Sequence, residues 1–321
     1  MVPSPSPRAS TLRAAVRTLA RRARSEAALD RSLGVARTAR ESLRERAWRR
    51  SVGEVLRDGV SVSPAGTWGR PDASGTPLVM CLWNRPDRLE HVLAMLADLD
   101  PEQPVRLLLW NNQPADADRY RRVVDDFVPH GGLVSVDLWT SPTNFGGLAR
   151  FMALRLLRNA GYEGPALFLD DDQDVSPSFA VDLLRDWRPR SIVAWWAFSQ
   201  HGSYWSRAEL APGAEADHTG TGGTALDASI VDDDRFFSRL PRRFAFLEDQ
   251  WMSFVGHQLG WRLVKGSTTI GLVSEELNQY HALRPLKDVF WAWQQGPGPA
   301  HWRAGSDVPR RRWHRGTVSA S

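Results

Sequence analysis

Three consecutive aspartates, Asp170, Asp171 and Asp172, close the apolar run Ala166–Leu169. In an extended chain residues i and i+2 face the same way, so Asp170 and Asp172 aim two hard oxygen donors at one point. Such a pair suits Mg2+ or Mn2+, which takes a few carboxylates and shares its other positions with water and phosphate oxygens. A cation held there would offset the charge building on a diphosphate leaving group. The other reading is an acidic turn before the helix expected from Pro177, since acids are favoured at helix N-termini. A second triplet, Asp232-Asp233-Asp234, is followed directly by Arg235-Phe236-Phe237 and reads as the cap of a short helix. The single cysteine, Cys81, lies inside an apolar run and reads as a small buried hydrophobe.

The elements that must position these residues alternate. Leu78–Trp83, Val105–Trp110, Leu133–Leu138 and Ala166–Leu169 are apolar runs of strand length. Between and after them lie helical segments ending near Leu99 and Phe127, then Phe145–Asn159 and Pro177–Trp187. Leu89, Val92, Leu93 and Leu96 share one face of the first. This alternation predicts an α/β fold: a mostly parallel sheet flanked by helices. In such sheets ligands gather beyond the carboxyl ends of the strands, where Asn84–Asp87, Asn111–Pro114 and the Asp170 triplet fall. Further on, Ile192–Ser199 and Thr224–Val231 read as strands, His218–Gly223 as a glycine loop and Asp249–Leu259 as a helix.

The chain of 321 residues is 42% hydrophobic and 24% charged, as in ordinary globular proteins. Its longest apolar run, Ile192–Phe198, is far too short to span a membrane, and no apolar signal core opens the sequence. A cytoplasmic protein is expected. The net charge of +4 is unevenly spread. Residues 1–60 hold 14 Arg against 6 acids, and residues 303–315 hold 5 Arg against one Asp, so the remainder carries −8. An acidic middle argues against nucleic acid as a partner. The basic N-terminal arm suits either contact with anionic lipid or a solvated face. Leu12, Val16, Leu19, Leu29, Leu33 and Ala36 recur at helical spacing, so residues 11–58 read as one long helix or a helical pair.

In order and spacing, these segments resemble GT-A (Rossmann-like) glycosyltransferases over residues 77–281, family two and the exostosin-type nucleotide-sugar transferases above all. Cys81-Leu82-Trp83-Asn84-Arg85-Pro86 resembles the first nucleotide-binding strand and loop, and Leu109-Trp110-Asn111-Asn112 the second. Asn144, followed by Arg150-Phe151, resembles the next donor-contacting segment. Phe168-Leu169-Asp170-Asp171-Asp172 matches the Asp-x-Asp motif, and Phe246-Leu247-Glu248-Asp249 the later Glu-Asp motif. His281 stands where many such enzymes carry a C-terminal histidine. Family two has Asp where Asn111 stands, and exostosins have Cys where Leu247 stands, so both departures touch the specificity of the resemblance.

The resemblance implies a metal-dependent transfer of a sugar from a nucleotide diphosphate sugar to a hydroxyl on a glycan or glycolipid, with Mn2+ or Mg2+ as cofactor. UDP is the implied nucleotide, with UDP-N-acetylglucosamine and UDP-galactofuranose among the donors. Asn84, Arg85 and Asn111 would line the nucleoside pocket; Asn144 and Arg150 would hold the donor. Asp170 and Asp171 would contact ribose or sugar, and Asp172, with Asp170 and His281, would ligate the metal. Asp249, beside Glu248, would face the acceptor hydroxyl. Gly220, Gly222 and Gly223 would let the backbone approach the substrate. The implied division is a basic helical arm (1–60), a linker (61–76), a GT-A domain (77–290) and a Trp/Arg-rich extension (291–321). Trp195, Trp196 and Trp205 are candidates to stack on sugar rings. Two other readings remain: a sugar-phosphate nucleotidyltransferase, disfavoured because Asn84–Asp87 lacks glycine, and a non-catalytic scaffold that binds membranes or partners through its arms.

Overall fold

The computed structural model describes residues 37–60, 67–273 and 280–296. The chain divides into two compact units, Met1–Ser51 and Val52–Ser321. Residues 37–58 form a helix, α1. The 11–36 part of the helix expected over 11–58, residues 61–66 of the proline- and glycine-rich linker and the tail beyond 296 lie outside the described residues.

The second unit is built on seven strands. Three buried strands, β1 (Thr76–Leu82), β2 (Val105–Asn111) and β4 (Pro165–Asp170), form its centre with β3 (Leu133–Thr140) at one edge. Their order is β3-β2-β1-β4, all parallel. β1, β2 and β4 run as largely apolar stretches because both faces of the strand are covered, whereas the edge strand β3 is polar in part and leaves Val134 exposed. Beyond β4 come β10 (Thr224–Asp227), β6 (Ser191–Ala194) and β11 (Arg262–Lys265). Only β10 runs antiparallel to its neighbours. The mostly parallel α/β sheet expected from the sequence is therefore the one observed.

Helices α2 (Leu89–Ala97), α3 (Ala117–Asp126), α4 (Leu148–Asn159) and α5 (Phe179–Asp186) follow the strands. On α2 the buried residues include Leu89, Val92, Leu93 and Leu96, as their spacing requires. These join Leu78, Met80, Leu107, Leu109, Leu167 and Leu169 in one core, which fixes the carboxyl ends of β1 and β4 beside each other.

The second half departs from the sequence reading in two places. Ile192–Ser199 is two strands, not one. The chain leaves the large sheet after β6, turns at Trp195-Trp196, and enters β7 (Ala197–Gln200) of a separate three-stranded sheet. That sheet pairs β7 with β8 (Arg207–Glu209) and β9 (His218–Thr219). Thr224–Val231 is β10 followed by a short 3-10 turn, Ala228–Val231, opened by Asp227, whose side chain accepts the Ser229 amide. A two-stranded ribbon joins β5 (Gln173–Val175) to β12 (Ile270–Leu272).

The Asp232 triplet precedes α6 (Arg235–Ser238) and stays away from the cleft described below. Asp233 accepts the Arg235 amide at 2.8 Å, while Asp232 and Asp234 pair with Arg158 and Arg155 on α4. The chain then forms α7 (Glu248–Gln258) and, past the undescribed residues 274–279, α8 (Tyr280–Gln295). Phe290 of α8 is fully buried and stacks on Phe244 at a centroid distance of 4.2 Å. No helix among the described residues is long and apolar enough to cross a membrane.

Candidate active site

A cleft of about 460 Å³ opens at the carboxyl ends of β1 and β4. Its walls gather Arg85, Asn144, Arg150, the Asp170–Asp172 triplet, Glu248 and Asp249 from five separate segments. A larger groove of about 590 Å³ between α2 and α3 is lined by solvated charges such as Asp87, Glu90 and Arg119 and gathers none of these groups.

The three aspartates do different work. Asp171 is turned inward: one oxygen accepts the Trp83 amide at 2.9 Å and the other the Arg85 guanidinium at 2.7 Å. Burial pushes its carboxyl up to about 6, against the pull of Arg85. Asp171 thus ties β4 to the loop after β1. Both of its oxygens are engaged by the fold, although the residue also borders the cleft. Arg88 locks the same turn by donating to the Asp171 carbonyl at 2.9 Å and to Asp174 at 2.8 Å.

Asp170 and Asp172 flank it, and the Asp170 side chain is the most exposed of the three at 36%. Asp170 receives Arg150 at 2.6 Å, and Asp172 lies 3.3 Å from Arg85. The Asp172 carboxyl is raised by burial and then by the charge of Asp170, which means that two carboxylates crowd one space. A divalent cation would relieve that crowding, and hard carboxylate oxygens are the donors it takes. Among the described residues no three His, Cys, Asp or Glu side chains cluster at ligating distance, so the remaining ligands would be phosphate oxygens and water. His281 falls in the first turn of α8, and its side chain lies outside the described residues.

Arg150 rises from the first turns of α4 and is 3% exposed. Burial works against its charge, but Asp170, Cys81 and Glu248 outweigh that and hold it protonated. Its Nε and Nη1 have no hydrogen-bond partner among the described residues. Buried donors left unmatched cost about 1–3 kcal/mol, so this side chain is set to receive ligand oxygens.

Two residues of the sequence reading are placed elsewhere. Asn111 is fully buried; its side chain accepts the Gln113 amide at 2.8 Å and donates to Thr140 at 3.3 Å. Asn84 takes a left-handed conformation (φ 56°), which asparagine tolerates better than most residues, and accepts from Gln113 at 3.0 Å. Neither lines the cleft. Asn112 does instead: it donates to the Gly146 carbonyl and accepts the Phe145 amide, both at 3.1 Å. Asn144 closes the same loop by accepting the Gly146 amide at 2.7 Å.

The opposite wall is α7. Glu248 faces Arg150 and accepts from Thr221 at 3.3 Å. Burial pushes its carboxyl up to about 7 despite Arg150. Asp249 is adjacent and equally enclosed, yet Lys287 and His218 overcome burial and hold its carboxyl far below the ordinary range. Lys287 Nζ and His218 Nε2 each lie 3.6 Å from the same Asp249 oxygen. Burial lowers the proton affinity of the His218 imidazole, against the pull of Asp249.

His218, Lys287, Thr221 and Gln173 were not singled out from the sequence. Gln173 accepts the Asp170 amide at 3.0 Å and, with Asp170, presses against Gly222, whose missing side chain makes room for both. Of the tryptophans considered for stacking, Trp196 lines the cleft and Trp195 and Trp205 do not.

No protein-family model matches the sequence, and no curated protein matches it. Among solved structures the chain is similar to residues 1–349 of TarS from S. aureus, at 15% identity over 66% of this chain and 64% of that one, with a TM-score of 0.44. It thus spans just under two thirds of that fragment. The same fragment in complex with UDP-GlcNAc gives 14% identity, coverages of 65% and 61%, and a TM-score of 0.43. The mannosyltransferase PcManGT from Pyrobaculum calidifontis, in complex with GDP-Man and Mn2+, gives 13% identity, coverages of 83% and 77%, and a TM-score of 0.46.

Proposed function

We propose that this chain is a GT-A-type glycosyltransferase that moves a sugar from a nucleotide diphosphate sugar, UDP-linked, to a hydroxyl of a glycan or glycolipid. The observation that carries the reading is the division of the cleft. One wall offers two hard carboxylates and a buried arginine with free donors, a combination suited to a cation and a diphosphate. The other wall offers an ionised carboxylate suited to a reacting hydroxyl.

Asp170 and Asp172 would hold Mn2+ or Mg2+, which when bound supplies positive charge to the diphosphate leaving group. Arg150 adds a fixed cation on that side and orients the donor through Nε and Nη1. Asn112 and Asn144 keep the loop before α4 in shape, so that Arg150 meets the donor in one geometry. In transfer, the bond from the anomeric carbon to the diphosphate oxygen breaks, and a bond to the acceptor oxygen forms. In an inverting reaction the hydroxyl proton passes to Asp249 Oδ. In a retaining one, the same carboxylate faces the positive charge developing on the sugar ring. The basic arm, residues 1–60, would hold the enzyme to an anionic lipid surface on the cytoplasmic side, within reach of a glycolipid acceptor there. Loss of vesicle binding on deleting that arm is its test.

The test of the main reading is a melting panel with UDP-, GDP- and dTDP-sugars, each with and without Mn2+. Ligands that bind only the folded state raise the melting temperature. A Mn2+-dependent rise with a UDP-sugar is expected. Folded protein that responds to none of them would overturn the proposal.

A further inference from the structure

Glu248 and Asp249 sit side by side in the first turn of α7, both deeply enclosed. Asp249 accepts the Gln250 amide at 2.8 Å, and the other partners of the two residues differ as well. Glu248 faces Arg150, but that guanidinium is engaged by Asp170 at 2.6 Å. Asp249 faces Lys287, a residue of α8 that is only 8% exposed. Lys287 is delivered with care: its Nζ donates to the Tyr204 hydroxyl at 3.0 Å and stands 3.6 Å from Asp249 Oδ2.

Three further contacts fix α8 in this place. Asp288, the next residue, accepts the Tyr204 amide at 2.9 Å. Gln294 donates to the Gln250 carbonyl on α7 at 3.1 Å. Phe290 stacks on Phe244 and on Trp251 of α7. The other groups facing Asp249 are His218 of β9, Tyr204 of the preceding loop and Glu248 itself, with Arg207 of β8 behind Tyr204 and His218. Burial lowers the proton affinity of His218, and Arg207 donates to Tyr204 and lies over the Phe198 ring at 4.2 Å. Lys287, at 3.6 Å, is the permanently charged group beside Asp249 and contributes most to holding its carboxyl down.

We propose that Lys287 is a positioning residue that makes Asp249, and not Glu248, the charged member of the pair, and that α8 is thereby part of the transfer site. The inference deepens the glycosyltransferase reading and rests on it for the meaning of the word transfer. Without the lysine, two adjacent buried carboxylates would share one proton near neutrality, and either could carry it. With it, one carboxylate stays ionised for the acceptor side, and the proton resides on the residue beside Arg150.

The test labels the full chain with [13Cγ]aspartate and follows the Asp249 carboxyl by NMR against pH, the resonance being identified by its loss in Asp249→Asn. In the wild type it stays at the ionised position through the neutral range. Lys287→Gln, which keeps a polar group within reach of Tyr204, moves its titration upward by about two units or more. Lys287→Arg returns it toward the wild-type position, which a merely structural lysine would not require. An Asp249 carboxyl that titrates unchanged in folded Lys287→Gln overturns the proposal. So does a wild-type Asp249 that takes up its proton near neutrality, a result that needs no variant to fold. The measurement reads a carboxyl and not turnover, so its failure is distinct from a failure of the transferase reading in the nucleotide panel.

Discussion

Gly147 and Glu248 approach so closely that a Cβ on the glycine would fall 1.7 Å from a carboxylate oxygen of the glutamate. The backbone angles of Gly147 are ordinary for any residue (φ −69°), so the requirement is space, not conformation. The glycine that opens α4 and the acid that opens α7 are in this way fitted to each other across the cleft. Gly147→Ala is expected to destabilise the fold by about 1–3 kcal/mol, the usual cost of overpacking. It should also displace Glu248 and reduce nucleotide release from a UDP-sugar. A melting curve and a release assay on one preparation check both.

Glu248 gives the protein a stability that falls as pH rises. Its folded carboxyl is raised from 4.5 to about 7, so between those values the native state binds more protons than the unfolded one. The neutral form is the one the fold prefers, and the penalty for ionising it grows up to about pH 7. Glu248→Gln removes that penalty. The variant should gain on the order of 1–3 kcal/mol relative to wild type at pH 8 and much less at pH 5. Urea unfolding at the two pH values is the check, and an equal difference at both would disprove it.

The strands around the cleft were legible because buried parallel strands read as unbroken apolar runs, and the aspartate triplet marked where one of them ends. The break at Trp195-Trp196 was hidden for the same reason: the apolar run continues while the chain changes sheets. Asn111 and Asn112 show a finer limit. Successive side chains at a strand end point to opposite faces, so a pair of asparagines announces a site without saying which one enters it. His218 and Lys287 meet Asp249 only through the tertiary fold, from 31 residues before it and 38 after. One signal was present nonetheless. The chain has two lysines among 41 basic residues of the Lys and Arg types, and both are buried at 7–8% exposure. Lysine in an arginine-rich chain marks places where a compact ammonium is needed.

Asp249→Asn should separate binding from transfer. The carboxylate meets His218 and Lys287 and holds no group of the aspartate triplet. Nucleotide and Mn2+ should therefore raise the melting temperature as in the wild type, while transfer falls by at least about 100-fold, the scale of a lost general base. The substitution also takes the negative charge away from buried Lys287, which costs on the order of 3 kcal/mol. The depressed carboxyl of Asp249 contributes stability above the ordinary aspartate range and loses it as pH falls through its folded value. The stability deficit of the variant should accordingly be full at neutral pH. A variant with normal transfer would remove Asp249 from the reaction.

Asp172→Ala should act on the other wall. Asp172 shares its space with Asp170, and removing it relieves the repulsion between them, so the apo protein is expected to melt at or slightly above the wild-type temperature. The response to ligand should reverse that order. A UDP-sugar with Mn2+ at about 100 times its dissociation constant stabilises the wild type by about 2.7 kcal/mol, and the variant, lacking a metal carboxylate, should lose most of this gain. Chelation of the metal should reduce the wild type to the behaviour of the variant. Asp171→Asn provides the contrast: its side chain holds Trp83 and Arg85, so it should lower the melting temperature of the apo protein itself. If Asp172→Ala keeps the full Mn2+-dependent stabilisation, the cation is held elsewhere and the triplet is the acidic turn that its sequence also allowed.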